Sequence, residues 1–276
     1  MIFRSIDLPN FGYSDKHAQL DTYIQQKVTI DPDYRMPAII ICPGGGYEFI
    51  SNRESEPMAL SFAAQGYQAF VLNYSIINKD STGELLPYPV LELGYTVKYI
   101  REHADEWNID PNKIVLLGCS AGGHLSALYN GVWHQEWLAE KLQTTTESLR
   151  PNATILCYAL VSFDTITIHP ALAEAVKKIT TNEEYRHVDQ LVGEQTSPTF
   201  IWHTAADATT PVENAWVYAS QLAKHNIPFE THIFHKGRHG LSLADKTTAK
   251  LQTADYIDPH VANWFPLCIT FLDETL

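Results

Sequence analysis

The run Ile114-Val115-Leu116-Leu117-Gly118-Cys119-Ser120-Ala121-Gly122-Gly123-His124 constrains the fold of this chain more than any other stretch. A short β-rich apolar segment feeds a G-x-S-x-G pattern, and a helix-compatible segment, residues 121–129, leaves it. The strand-to-helix turn must be very tight, and the glycines two positions either side of Ser120 leave room for the backbone to double back. The serine is then held on a strained corner with its hydroxyl exposed. The N–H of Ala121, at the positive end of the new helix, is placed to meet an oxyanion. A nucleotide-binding turn is the alternative for a glycine-rich junction of this kind. It fares poorly, because G-x-x-x-x-G-K-[ST] and G-x-G-x-x-G are both missing and the strand comes too late in the chain to open a dinucleotide unit.

Around this junction, apolar runs of strand length alternate with longer segments of helical period from about Pro37 onward, the order of a mostly parallel sheet covered on both faces. Strands are predicted at 38–42, 68–73, 113–118, 153–160, 199–203 and 229–234, most of them continuously apolar, as strands buried on both faces should be. Helices are predicted at 56–65, 89–107, 121–129, 212–225 and 261–272. In the second, Val90, Leu93, Val97, Ile100, Ala104 and Trp107 keep a three-to-four spacing, the stripe of a helix lying on a sheet. The first 36 residues read as edge strands, with 20–28 partly alternating. Without repeats, low-complexity tracts or a linker, residues 1–276 read as one α/β domain. The long mixed segment 162–197 is where a lid or binding insertion, and the walls of a pocket, are expected.

The formal charge of −13, from 19 basic and 32 acidic residues, disfavours nucleic acid or an anionic membrane surface as the main partner. No run is long enough to span a bilayer and the N-terminal residues lack a signal-peptide pattern, so a cytoplasmic protein is expected. Cys42, Cys119, Cys157 and Cys268 include no C-x-x-C pair, and three lie in apolar runs, which points to buried thiols and not to a disulfide framework. No pattern bears on oligomeric state.

A serine hydroxyl is a poor nucleophile at neutral pH and needs a base, itself oriented by an acid. Of the twelve histidines, His239 in Gly237-Arg238-His239-Gly240 follows a strand and is flanked by glycines, where a base belongs if the order is Ser, acid, His. A solvated loop histidine is the alternative. Asp207 follows the strand at 199–203 by a short turn, at the carboxyl edge where sites collect; Asp164 holds a rival position, and either could be an ordinary turn aspartate. Cys42-Pro43-Gly44-Gly45-Gly46-Tyr47 supplies a glycine loop whose backbone N–H groups could approach an oxyanion. A metal cluster of His232, His235 and His239 is disfavoured, since His232 and His235 fall on opposite faces of a strand. Cys119 reads as a small buried group and not as a reactive thiol.

With these residues in hand, the chain from about Pro37 onward resembles the α/β-hydrolase superfamily, in the esterase branch close to the acetyl-xylan-esterase-like and hormone-sensitive-lipase-like enzymes. The resemblance rests on Pro43-Gly44-Gly45-Gly46-Tyr47, on Gly118 to Leu125, on His203-Thr204-Ala205-Ala206-Asp207 followed by Pro211-Val212-Glu213-Asn214, and on His239-Gly240-Leu241. It implies Ser120 as nucleophile, Asp207 as acid, His239 as base, and Gly45, Gly46 and Ala121 as oxyanion donors, with no metal or cofactor. Lipase-like relatives usually carry His and Asp where this chain has Pro43 and Cys119, and the glycine loop arrives too early for a large N-terminal cap. The resemblance therefore implies a serine esterase acting on a small-molecule ester with a short acyl group, such as acetyl on a sugar. A peptidase or amidase on the same fold, or a binding protein that lost catalysis, are the alternatives; the presence of all three triad candidates argues against the last.

Overall fold

A computed structural model describes residues 1–26, 33–77, 83–166, 170–249 and 254–276. Among them, β1 (Ile2–Asp7), β2 (Gln19–Ile24), β3 (Met36–Cys42), β4 (Gln68–Asn73), β5 (Ile109–Cys119), β6 (Ala153–Cys157), β7 (Thr199–Thr204) and β8 (Phe229–Phe234) form one sheet in the order β1-β2-β4-β3-β5-β6-β7-β8. β2 runs antiparallel to both β1 and β4, and from β4 to β8 every pairing is parallel. The helices are α1 (Glu56–Ala64), α2 (Tyr88–Glu102), α3 (Ala121–Val132), α4 (Glu136–Leu142), α5 (Pro170–Ile179), α6 (Glu183–Arg186), α7 (Glu213–Lys224) and α8 (Trp264–Thr275).

The two-residue period of a strand explains the two cores. Ala38, Ile40 and Cys42 of β3 and Ile114 and Leu116 of β5 face α2, α3 and α7. Their neighbours Ile39, Ile41, Val115, Leu117 and Cys119 face α1 and α8. Val90, Leu93, Val97 and Ile100 of α2 are fully buried, each stabilising the fold by roughly 1.5–3 kcal/mol.

Several boundaries differ from expectation. The apolar stripe of α2 continues to Ala104 and Trp107, both buried, but the helix ends at Glu102. The chain must reverse into β5, which it does through Asn108 at φ 55 with Ile109 N–H on the Ala104 carbonyl. β6 stops at Cys157 and not at residue 160, because Tyr158 takes φ 37 and leaves the ladder while 158–161 stay buried. The C-terminal helix starts at Trp264 after a 3₁₀ turn, Val261–Asn263. β1 is an edge strand as expected, whereas β2 lies inside the sheet and ends at Ile24; residues 27 and 28 of the alternating run lie outside the described residues.

The segment 162–197 contributes α5, α6 and two 3₁₀ turns, Phe163–Thr165 and Val188–Leu191. Val176, Ile179 and Val188 join the core shared with α2 and α3, and α5 is tied to the chain before α2 by Leu85 and Leu86 N–H on the Lys178 and Ile179 carbonyls.

Candidate active site

Ser120 sits between β5 and α3 with φ 53 and ψ −116, a strained conformation for a residue with a side chain. The packing that maintains it leaves no room for a Cβ on either side. A Cβ at Gly118 would lie 2.2 Å from the Gly122 carbonyl oxygen, and one at Gly122 would lie 2.0 Å from that of Cys42. The N–H of Ser120 is taken by the Cys157 carbonyl at 3.0 Å, which ties the corner to the end of β6.

Asp207 lies after β7 and His239 in the loop after β8, and the fold brings both to Ser120. His239 Nε2 is 2.8 Å from Ser120 Oγ, and His239 Nδ1 is 2.7 Å from Asp207 Oδ2. Asp207 Oδ1 accepts the N–H groups of Thr209 at 2.8 Å and Thr210 at 2.9 Å. Burial alone would raise its carboxyl, but the bond and charge of His239 and the two backbone donors outweigh this and hold it below the usual carboxylate range. With Asp207 as acceptor, Nδ1 carries the ring proton and Nε2 faces the serine as acceptor.

The glycine loop after β3 closes the other side. Gly44 N–H is committed to Glu54 at 2.8 Å, while among the described residues the N–H groups of Gly45, Gly46 and Ala121 have no acceptor. Gly45 is required where it stands, with φ 134 and a Cβ position only 1.8 Å from the Phe49 carbonyl oxygen. The loop is braced from below: Tyr74 O–H donates to the Pro43 carbonyl, and Tyr47 O–H to His124 Nδ1 at 2.8 Å. His124 Nε2–H donates to the Tyr185 carbonyl at 2.7 Å, and burial lowers its pKa to about 4, so the ring is neutral and its tautomer fixed.

A cavity of about 560 Å³ opens over Ser120, with Gly45, Gly46, Phe49, Arg53, Arg238 and Tyr256 in its walls. It continues past His239 into a groove of about 440 Å³ bordered by Thr209, Arg238 and Asp255. Among the described residues neither draws its lining from 162–197; the walls come from the glycine loop and the stretch after it, the loop after β7, and the segment from Arg238 to Tyr256. The guanidinium groups of Arg53 and Arg238 lie over the Tyr256 ring at 4.0 and 4.3 Å.

The rival residues are elsewhere. Asp164 lies 3.4 Å from Arg186 and 3.6 Å from His187. His232 packs on Phe200 and meets Glu230 at 2.5 Å, His235 is nearest in ring contact to His260, and only His239 of the three reaches the serine. All four cysteines are free and buried, and burial pushes the Cys119 thiol well above its ordinary value. Two residues that sequence reasoning missed are Glu54, buried beneath the glycine loop, and Tyr158, whose ring stands edge-on to His239 at 5.2 Å. Neither belongs to a motif or a periodic stripe, so no sequence signal marks them.

The chain is 32% identical over 215 residues to endo-1,4-beta-xylanase B of Butyrivibrio fibrisolvens, an alignment covering 77% of this chain and 34% of the xylanase. It is 29% identical over 214 residues to the acetylxylan esterase of Xylanibacter ruminicola, covering 75% of this chain and 41% of the esterase. The chain thus spans well under half the length of these curated relatives. The crystal structure of the carboxylesterase Cest-2923 from Lactobacillus plantarum WCFS1 matches with a TM-score of 0.89 at 30% identity, covering 99% of this chain and 98% of that one. The BD-FAE family model matches residues 20–222, and the chain is a member of the BD-FAE family with the α/β-hydrolase fold.

Proposed function

We propose that the protein is a serine carboxylic ester hydrolase whose substrates are short-chain acyl esters, with acetyl groups on sugars as the leading class. The observation that carries this reading is the continuous relay from Asp207 through His239 to Ser120 at the floor of an open cavity. Ser120 Oγ attacks the ester carbonyl as His239 Nε2 takes its proton, and Asp207 holds the imidazole in the accepting tautomer and stabilises the imidazolium that forms. The tetrahedral oxyanion is met by the N–H groups of Gly45, Gly46 and Ala121, which have no competing acceptor among the described residues. His239 then returns the proton to the alcohol oxygen, and water repeats the cycle on the acyl-enzyme.

The alcohol must leave on the side of His239 Nε2. There the cavity over Ser120 is open, and its walls include Asn52, Arg53, Thr209 and Arg238, groups that can meet hydroxyls. The likeness to an acetylxylan esterase supports the same class. Hydrolysis of acetyl to octanoyl esters and of acetylated xylo-oligosaccharides, with fluorophosphonate labelling of Ser120, tests the reading. Labelling with turnover of amides alone would replace it with an amidase, and no adduct on Ser120 with no turnover would leave a binding protein.

A further inference from the structure

We propose that Glu54 is a positioning residue for this reaction, a buried carboxylate that locks the glycine loop and the histidine loop into one arrangement. The proposal rests on the roles assigned above to Ser120, His239 and the glycine loop.

Glu54 ends the 3₁₀ turn Asn52–Glu54 and is 3% exposed, so its oxygens must find donors inside the protein. Both do. Oε2 accepts the N–H of Gly44 at 2.8 Å and Oε1 accepts the O–H of Tyr158 at 2.6 Å. The Tyr158 oxygen itself accepts the N–H of Ser242 at 3.1 Å, which directs its own proton to Glu54. Each partner stands on a different loop of the site: Gly44 opens the glycine loop, Tyr158 follows the Cys157 carbonyl that holds Ser120, and Ser242 lies three residues beyond His239. The same turn meets the histidine loop twice more, through Ser242 Oγ–H on the Arg53 carbonyl and Arg53 Nη1–H on the Gly240 carbonyl, both at 2.8 Å.

A loop rich in glycine has no intrinsic reason to aim its N–H groups at a charge that exists only in the transition state. By taking the Gly44 N–H, Glu54 fixes the start of the loop and leaves those of Gly45 and Gly46 uncommitted. Space allows little else, since a Cβ at Gly44 would lie 2.7 Å from Glu54 Oε2 and 3.0 Å from Ser120 Cβ. The two donors approach different oxygens, and a carboxylate offers an acceptor at each. A glutamine has one acceptor and one donor end, so either Gly44 N–H or Tyr158 O–H would face an N–H.

The test uses the full chain on an acetyl ester, with kcat taken per active site titrated by fluorophosphonate. In Glu54→Gln, kcat should fall roughly 10- to 100-fold, less than deletion of an oxyanion donor, with KM within about threefold of wild type. Affinity for a trifluoromethyl ketone, which forms a tetrahedral oxyanion on the serine, should fall by the same factor as kcat/KM. Tyr158→Phe should lose roughly 5- to 20-fold in kcat, and the double variant should be no worse than Glu54→Gln alone, because both remove one tie. A merely structural role would lower Tm or the active fraction and leave kcat per site unchanged. If Glu54→Gln does not fold, Tyr158→Phe, which keeps the ring, decides. A kcat per site within about twofold of wild type in either variant, or fully additive losses, would overturn the proposal. Wild-type turnover in Ser120→Ala would instead overturn the underlying reading of the nucleophile, so the two failures are distinguishable.

Discussion

In Asp207→Asn the side chain keeps its shape and exchanges one acceptor for a donor at a fully buried position. The amide oxygen can still accept from Thr209 and Thr210, at 2.8 and 2.9 Å in the native chain, which turns the amide N–H toward His239 Nδ1, native distance 2.7 Å. A donor facing Nδ1 keeps that nitrogen bare and moves the ring proton to Nε2, the atom that must accept from Ser120. In the serine-protease template this inversion costs about 10⁴ in kcat, or about 5.4 kcal/mol of transition-state stabilisation. The assay is kcat on an acetyl ester near neutral pH, with circular dichroism to establish folding. Asp164→Asn, whose partners include Arg186 and His187, should stay within about threefold. Retention of more than about a tenth of kcat in Asp207→Asn, or greater damage from Asp164→Asn, would refute the tautomer argument. The same substitution alters acid stability. Because the folded pKa of Asp207 lies below its ordinary 3.8, its contribution is present above that value and lost as pH falls through the folded one, so Asp207→Asn should flatten the acid limb of the stability profile.

Ser120→Ala should lower kcat by roughly 10⁴ to 10⁶ with the fold intact, because the relay acts as a unit; wild-type-like turnover in a purified sample would end the serine mechanism. Acetyl and propionyl esters should be preferred over chains of about eight carbons by at least about tenfold in kcat/KM, about 1.4 kcal/mol. A rate that climbs steadily toward octanoyl would defeat this; Phe163 packs on His124 and, like Ile166, lies outside the cavity lining, while Ile168 lies outside the described residues. Gly122→Ala should destabilise by about 3 kcal/mol and lower Tm by roughly 5–10 °C, since its Cβ would meet the Cys42 carbonyl at 2.0 Å; an unchanged Tm would show that strand and helix can part cheaply. Glu92, which accepts the N–H and O–H of Ser75, has its carboxyl pushed by burial from 4.5 to about 7. A raised folded pKa means stability is fully present below 4.5 and lost as pH rises to about 7, so Glu92→Gln should shrink the Tm difference between pH 5 and pH 8; an unchanged difference would count against it.

Much of the candidate site was legible in the sequence because its local chemistry is written in contiguous residues. Only glycine fits at positions 118 and 122 around a strand-to-helix corner, so the elbow announces Ser120 by itself, and β4 and β8 fall on the residues predicted for those strands. Asp207 and His239 were readable as residues at the carboxyl ends of strands, but their separation from Asp164 needed the resemblance or the structure. What the tertiary structure alone decided depends on distances between segments far apart in the chain. The insertion of β2 between β1 and β4 is a pairing choice with no local code, since an antiparallel neighbour and an edge strand share one alternating pattern. Among the described residues the cavity walls come from the loops around Phe49 and Tyr256 and not from 162–197, because side-chain lining depends on how loops converge, not on their length. Glu54 is the extreme case: one glutamate among 32 acidic residues, indistinguishable along the chain, whose burial against Gly44 and Tyr158, 10 and 104 residues away, exists only once the sheet has assembled.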